Sequence, residues 1–312
     1  MPEIRKKNRE IFVSLLFFLS RRQKLALDHW LRGRKEYKEI KAADYVIISP
    51  PKCGRTWVRT MLSRFFQHRY RLPGNELLGF DNYHRMNPAI PRVRFTHDRY
   101  VNHYSGNRDS KRDYYDRKVI LLVRDPRDVV ASNYFQWINS VNPYKKMLLD
   151  IPDKPEEVPI FEYAMTRQFG IPRTVEFLQA WAPELDKTRA HLLIRYEDMR
   201  ADTACTLGAM LAFMGIEATA AEIGQVVDET SFENMKKLEQ NQTFDSGSRR
   251  LMIKDSDNPE SFKVRRGKVG GYTDYFSEQE LEEIDRLIAR IPSLYGYEPR
   301  STTEDRAGRM RT

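Results

Sequence analysis

The sequence predicts an α/β fold, a three-layer α/β/α domain with a central parallel sheet. Two observations carry that prediction. Short runs such as Lys118–Val123 are apolar almost throughout, and the stretches between such runs show helical apolar spacing. A strand that is apolar on both faces must be covered on both faces, as in a parallel sheet held between two layers of helix.

The first such run is Tyr45-Val46-Ile47-Ile48-Ser49, stopped by Pro50-Pro51 and followed by Gly54. Beyond the turn, Trp57, Val58, Met61, Leu62, Phe65 and Phe66 recur with the period of an amphipathic helix. Tyr70–Pro91, with three prolines and two glycines, reads as loop. Val93–Thr96 forms a second strand and Lys118–Val123 a third. Helical spacing resumes after Pro126 with Val129, Val130, Tyr134 and Trp137. Asn142–Pro159 reads as a surface excursion, Phe161–Phe169 and Thr174–Ala180 as helices, and His191–Arg195 as the fourth strand.

Three amphipathic helices follow near 203–213, 220–228 and 231–239, and Asn241–Gly271 is polar and aperiodic. A last helix over Ser277–Arg290 opens with a capping box, Ser277 with Glu280. Residues 1–40 thus read as an N-terminal basic and apolar helical segment, 41–300 as one domain, and 301–312 as a disordered tail.

Of the 312 residues, 40% are hydrophobic and 31% charged, the composition of a globular domain. Lys and Arg number 53 against 44 Asp and Glu, a net charge of +9 that raises the odds of an anionic partner without naming one. Two cysteines, Cys53 and Cys205, exclude a secreted disulfide scaffold and favour the cytoplasm. The apolar run Ile11–Leu19, flanked by bases between residues 5 and 24, is too short to span a bilayer. It reads equally as a helix docked on the domain or as an amphipathic helix giving peripheral membrane contact.

Chemistry concentrates in the turns that follow the strands. In Pro51-Lys52-Cys53-Gly54-Arg55-Thr56-Trp57, a strand-to-helix turn offers free backbone N–H groups and the positive end of a helix dipole. Gly54 permits the tight backbone, Lys52 and Arg55 add charge, and Thr56 adds a hydroxyl: an anion cradle. The nucleoside-triphosphatase pattern is absent, since no Ser or Thr follows Lys52 to hold Mg²⁺. That disfavours a kinase, the rival enzyme reading; a basic membrane- or polyanion-binding protein is the non-enzymatic rival. Directly after the third strand comes Arg124-Asp125-Pro126-Arg127-Asp128, where ligands of parallel sheets bind and where an arginine forks onto phosphate. Cys53, beside a lysine and a helix N-terminus, is expected to have a lowered pKa and to react with thiol reagents.

The loop at 51–57 resembles the P-K-S-G-T-T-W loop of the sulfotransferases that use 3′-phosphoadenosine 5′-phosphosulfate (PAPS). Arg124–Ser132 resembles their R-D-P-R-D-x-x-x-S element, Tyr196–Met199 their Y-E-D-M, Thr230–Met235 their T-S-F-x-x-M, and Arg265–Tyr272 their R-K-G-x-x-G-D-W. Five motifs in the family's order span residues 45–290.

The resemblance implies a P-loop-like nucleotide-binding domain, PAPS as co-substrate and no metal. The loop Lys52, Cys53, Gly54, Arg55, Thr56 and Trp57 would cradle the 5′-phosphosulfate. Arg124, Ser132, Arg265, Arg266 and Gly267 would hold the 3′-phosphate, and Trp57, Tyr196, Thr230 and Phe232 would flank the adenine. His97, in Arg94-Phe95-Thr96-His97-Asp98, falls at the family's catalytic base, with Lys52 beside the leaving oxygen.

Departures are expected to matter. Phe95 stands where the family has lysine, and Asp98, after the histidine, is placed to orient it. Ser277 and Glu278 replace the T-V of the dimer element, leaving the oligomeric state open. The acceptor, a small molecule, lipid or carbohydrate, is not read from the sequence, and no nucleic acid is expected. Phe80, Tyr83, Tyr104, Tyr134, Trp137 and Phe161 are candidates for an apolar acceptor pocket.

Overall fold

The computed structural model describes residues 13, 15–140, 154–241, 243, 244, 264 and 266–300. The predicted tail at 301–312, most of the excursion after Asn142, and Arg265 lie outside the described residues.

Four parallel strands form the sheet: β1 (Tyr45–Ile48), β2 (Val93–Thr96), β3 (Lys118–Val123) and β4 (Ala190–Arg195), in the order β2-β1-β3-β4. Ile48 lies opposite Thr96 on one side and Leu121 on the other, while Val123 lies opposite Arg195. The strand ends are thus nearly level, and the turns that leave them share one rim.

Alternation along the strands divides the core. Val46, Ile48, Val119, Leu121 and Val123 face a layer containing Ile40, Trp181 and Ile284. Tyr45, Ile47, Ile120 and Leu122 face the opposite layer, with Val58, Phe65 and Leu211. Both faces of the central strands β1 and β3 are sealed, so nothing polar binds on them. Ligand chemistry is confined to the rim.

The helices that matter are α1 (Arg21–Ala42), α2 (Arg55–Tyr70), α3 (Pro126–Ser140), α4 (Ile160–Met165), α5 (Ile171–Trp181), α6 (Thr203–Phe213), α7 (Ala220–Glu229), α8 (Phe232–Gln240) and α9 (Glu278–Ile288). The Ser277–Glu280 capping box forms as predicted. The helix expected over Phe161–Phe169 is shorter, because Thr166 turns extended and Gly170 packs against the backbone of Ala164 and Thr166. Helix α1 begins beyond the apolar run at 11–19, whose residues 17–19 form a turn. Ser20 and Gln23 close a capping box that starts it at Arg21, and it buries Asp28, Glu36 and Glu39. A helix whose buried face carries carboxylates shows no hydrophobic period.

Before α1, Val13 is buried whereas Leu15, Phe17 and Phe18 are exposed. Among the described residues, no helix is long and apolar enough to cross a membrane.

Candidate active site

Each strand delivers a functional turn to the rim. After β1, the chain passes through Lys52 and Gly54, both with positive φ (68° and 80°), into the N-terminus of α2. A Cβ at Gly54 would lie 2.8 Å from Met199 Cε and 2.9 Å from Tyr196 Cδ2, so the left-handed backbone and the close approach both require glycine. No side chain caps α2, leaving its first N–H groups to the cavity.

After β2 comes His97. Its Nδ1 lies 2.7 Å from the Ser49 carbonyl, and its Nε2 lies 2.6 Å from Arg55 Nη2. A carbonyl only accepts and a guanidinium only donates, so Nδ1 carries the proton and Nε2 presents a lone pair. That is the neutral tautomer, with the basic nitrogen turned to the 52–57 loop.

Asp98 does not orient His97, contrary to expectation. Its carboxylate accepts from Lys111 Nζ (2.6 Å), the Tyr114 hydroxyl (2.7 Å) and Trp181 Nε1 (3.1 Å). Its positive φ of 51° turns the chain there, and the Ser49 carbonyl takes the orienting role. Where Phe95 removes the family lysine, the Arg59 guanidinium lies over the Phe95 ring at 3.7 Å, returning a cation to the same wall.

After β3, Arg124 donates to the Lys52 carbonyl (3.2 Å) and to the Lys268 carbonyl (3.0 Å) and stacks on the Tyr196 ring at 4.1 Å. Its buried Nε has no acceptor among the described residues. Arg127 does the work of pinning the helix start, forking onto Asp125 and pairing with Asp285 at 2.9 Å. Asp128 accepts from the backbone N–H groups of Gly270 (2.9 Å) and Tyr272 (3.1 Å), fastening the 266–272 segment to α3. After β4, Tyr196 packs edge-on against Trp57, and Glu197 accepts from the Asp125 backbone N–H at 3.0 Å.

These turns enclose a cavity of about 550 Å³. Lys52, Gly54, Arg55, Thr56 and Trp57 line it, together with His97, Arg124 and Ser132. From the far side come Tyr196, Phe232, Arg266 and Gly267. Arg266 holds Asp274 (2.5 Å) and the Tyr275 hydroxyl (2.8 Å). Gly267, with φ of 60°, lies so close to Phe232 that a Cβ would meet the ring at 2.7 Å.

Two predicted residues turn away. The Thr230 hydroxyl donates to the Val226 carbonyl while the Thr230 carbonyl receives the Trp57 indole N–H at 2.8 Å. Cys53 is buried in the core beneath the loop, and that burial pushes its thiol pKa up rather than down, correcting the expectation of a reactive cysteine. Any ligand contact from Cys53 or Thr230 therefore falls to the backbone.

Of the six aromatic residues expected in an acceptor pocket, Trp137 alone lines the cavity. Tyr83 is core, bonded to the Glu76 carbonyl, and Tyr134 bonds the Val158 carbonyl. Tyr163 and Phe169 line it instead, with Arg59, Arg99, Asn133, Gln136 and Arg200. None of these stands in a recognisable motif; they reach the cavity by packing alone.

Residues 42–297 match the sulfotransferase domain family. The chain belongs to that family. Rat sulfotransferase 2A1 is 28% identical over 183 residues, which make up 58% of this chain and 58% of that protein. Human sulfotransferase 6B1 is 25% identical over 255 residues, 79% of this chain and 75% of that one. The chain thus spans between about half and three quarters of the length of the curated relatives it matches. Among solved structures, mouse SULT7A1 complexed with PAP superposes with a TM-score of 0.54 at 18% identity, covering 86% of this chain and 88% of that one, which shows a shared sulfotransferase fold.

Proposed function

We propose that this sulfotransferase-family chain transfers a sulfuryl group from PAPS to a hydroxyl or amine of its acceptor. The observation that carries this reading is the position of Arg124. It ties the β1 turn, through the Lys52 carbonyl, to the 266–272 segment, through the Lys268 carbonyl, so three basic turns meet on one cavity. The unsatisfied Arg124 Nε fits a phosphate, and the Trp57, Tyr196 and Phe232 rings fit a purine. Mouse SULT7A1, of the same fold, binds PAP, the desulfated nucleotide.

PAPS supplies a sulfur made electrophilic by its phosphate leaving group. His97 Nε2 takes the proton from the acceptor hydroxyl as that oxygen bonds to sulfur. The bond between sulfur and the phosphate oxygen breaks, and Lys52 and Arg55 stabilise the charge left on that oxygen. The uncapped α2 N-terminus and Thr56 add donors to the same anion. Positioning and electrostatics then account for most of the rate, as in phosphoryl transfer.

The test is transfer of ³⁵S from labelled PAPS to an extract of candidate acceptors. Label moves with the wild-type chain and not with Lys52→Ala; label that moves equally with both, or with neither, overturns the reading.

A further inference from the structure

The cavity has a second end, away from the nucleotide cradle. There Trp137, Tyr163 and Phe169 form a continuous aromatic wall. Trp137 and Tyr163 have centroids 4.8 Å apart, and Tyr163 and Phe169 stack with planes 5° apart. Such a wall suits a flat or apolar body. Beside the Asn133 and Gln136 amides, the wall and its neighbours carry several donors.

The Trp137 indole N–H is buried with no acceptor among the described residues. The Tyr163 hydroxyl receives a hydrogen bond from Asn133 Nδ2 at 2.7 Å, and none of the described residues accepts its own proton. Burial pushes that phenol's pKa up, so it stays a donor.

Arg99 lines the same end. Among the described residues no carboxylate forms an ion pair with it; burial and the neighbouring Arg173 cation lower its pKa, and the Tyr100 and Tyr163 phenols offset part of that. The acids that could have served are committed elsewhere. Asp98, its neighbour in sequence, holds Lys111, Tyr114 and Trp181. Glu36 accepts from the Thr96 hydroxyl and faces Arg94. Asp128, a carboxylate that does line the cavity, is occupied by Arg124 and by two backbone N–H groups.

Arg99, Trp137 and Tyr163 thus line one cavity, and among the described residues no carboxylate pairs with the guanidinium, the indole N–H or the phenol O–H. Leaving such donors unmet costs free energy, and an oxyanion satisfies all three.

We propose that the acceptor carries an oxyanion, a carboxylate or a phosphate, bound by Arg99, Tyr163 and Trp137, while its hydroxyl lies toward His97. The substrate class is therefore acidic amphipathic alcohols or phenols. This rests on the sulfuryl-transfer reading, since His97 and the nucleotide cradle define which end of the cavity takes the acceptor.

The experiment compares hydroxy acids with their methyl esters on aryl, steroid and long-chain scaffolds, and includes the aryl phosphate monoester. Initial rates are measured with PAPS for the wild type, Arg99→Gln and Arg99→Lys, with PAP calorimetry on each variant as the check on folding. At least one acid is expected to exceed its ester in kcat/KM by about tenfold or more, the yield of one charge-assisted contact. Arg99→Gln should erase that preference, chiefly through KM, and Arg99→Lys should restore part of it. Whether carboxylate or phosphate shows the larger preference identifies the oxyanion.

Equal use of acids and esters on every scaffold overturns the proposal, as does a preference that survives Arg99→Gln. Failure of every acid while PAP still binds counts against it in the same way. If PAP itself does not bind, the sulfuryl-transfer reading falls first and takes this one with it.

Discussion

Arg55 Nη2 lies 2.6 Å from His97 Nε2, so the 52–57 loop and the candidate general base are joined by a direct hydrogen bond. In the free chain the guanidinium occupies the lone pair that must take the acceptor's proton. An anion in the loop competes for the same guanidinium, which couples filling of the cradle to exposure of the base. His97→Asn removes the base and leaves the loop. Sulfuryl transfer should fall by about 10²- to 10⁴-fold in kcat, the usual worth of a positioned base, while PAP calorimetry changes little. A variant that retains wild-type kcat would remove His97 from the chemistry.

Arg124 offers the nucleotide one buried N–H and braces two other turns through their carbonyls. Arg124→Met keeps the length and loses all three. PAP affinity should weaken by about tenfold or more, since each charged hydrogen bond is worth about 1.5–3 kcal/mol. The loss should shrink as salt is raised. Calorimetry at two ionic strengths checks both statements.

Cys53 is fully buried and its thiol held protonated, whereas Cys205 is exposed. Titration of the native chain with a thiol reagent should therefore count one fast sulfhydryl, and Cys205→Ser should abolish it. Denaturant should reveal Cys53. Rapid loss of transfer activity on alkylation in the Cys205→Ser chain would show that the loop opens far more than its packing allows.

Glu36, on α1, is buried beside Arg94, and burial pushes its carboxyl from 4.5 up to about 7. Between those values the folded chain keeps a proton that the unfolded chain has released. Its contribution to stability is complete below about pH 4.5 and is lost as pH rises through about 7. Glu36→Gln keeps a partner for the Thr96 hydroxyl without the charge. Its Tm should therefore decline less than that of the wild type between about pH 5 and pH 8, by a few degrees in a thermal melt. Parallel Tm profiles for the two chains would contradict this.

Strands β1 and β3 were readable because they are buried on both faces and almost wholly apolar; β2 and β4, which carry Arg94, His191 and Arg195, were legible as short β-rich runs between breakers. The turns at 49–54 and 124–125 were readable because in each a strand, a turn and a helix N-terminus occur in a short stretch, so chain order alone fixes their proximity. Helix α1 was anticipated only as part of a helical segment over residues 1–40; its bounds were not, because the face it buries carries Asp28, Glu36 and Glu39. Neither was the fate of Cys53, since the left-handed Lys52 and Gly54 roll the intervening side chain under the loop, a geometry that composition does not encode. The aromatic wall at Tyr163 and Phe169 was missed for a third reason. Its members come from separate elements, and packing alone brings them to Trp137 on α3.

That last point bears on how such a chain diversifies. The groups proposed to grip the donor hang from the ends of β1, β3 and β4 and from the 266–272 segment. Much of the wall at the other end comes from later turns of α3 and from residues 163–169. On the proposed reading, changes to Trp137, Tyr163 or Phe169 would recast what is modified and leave the proposed donor cradle untouched.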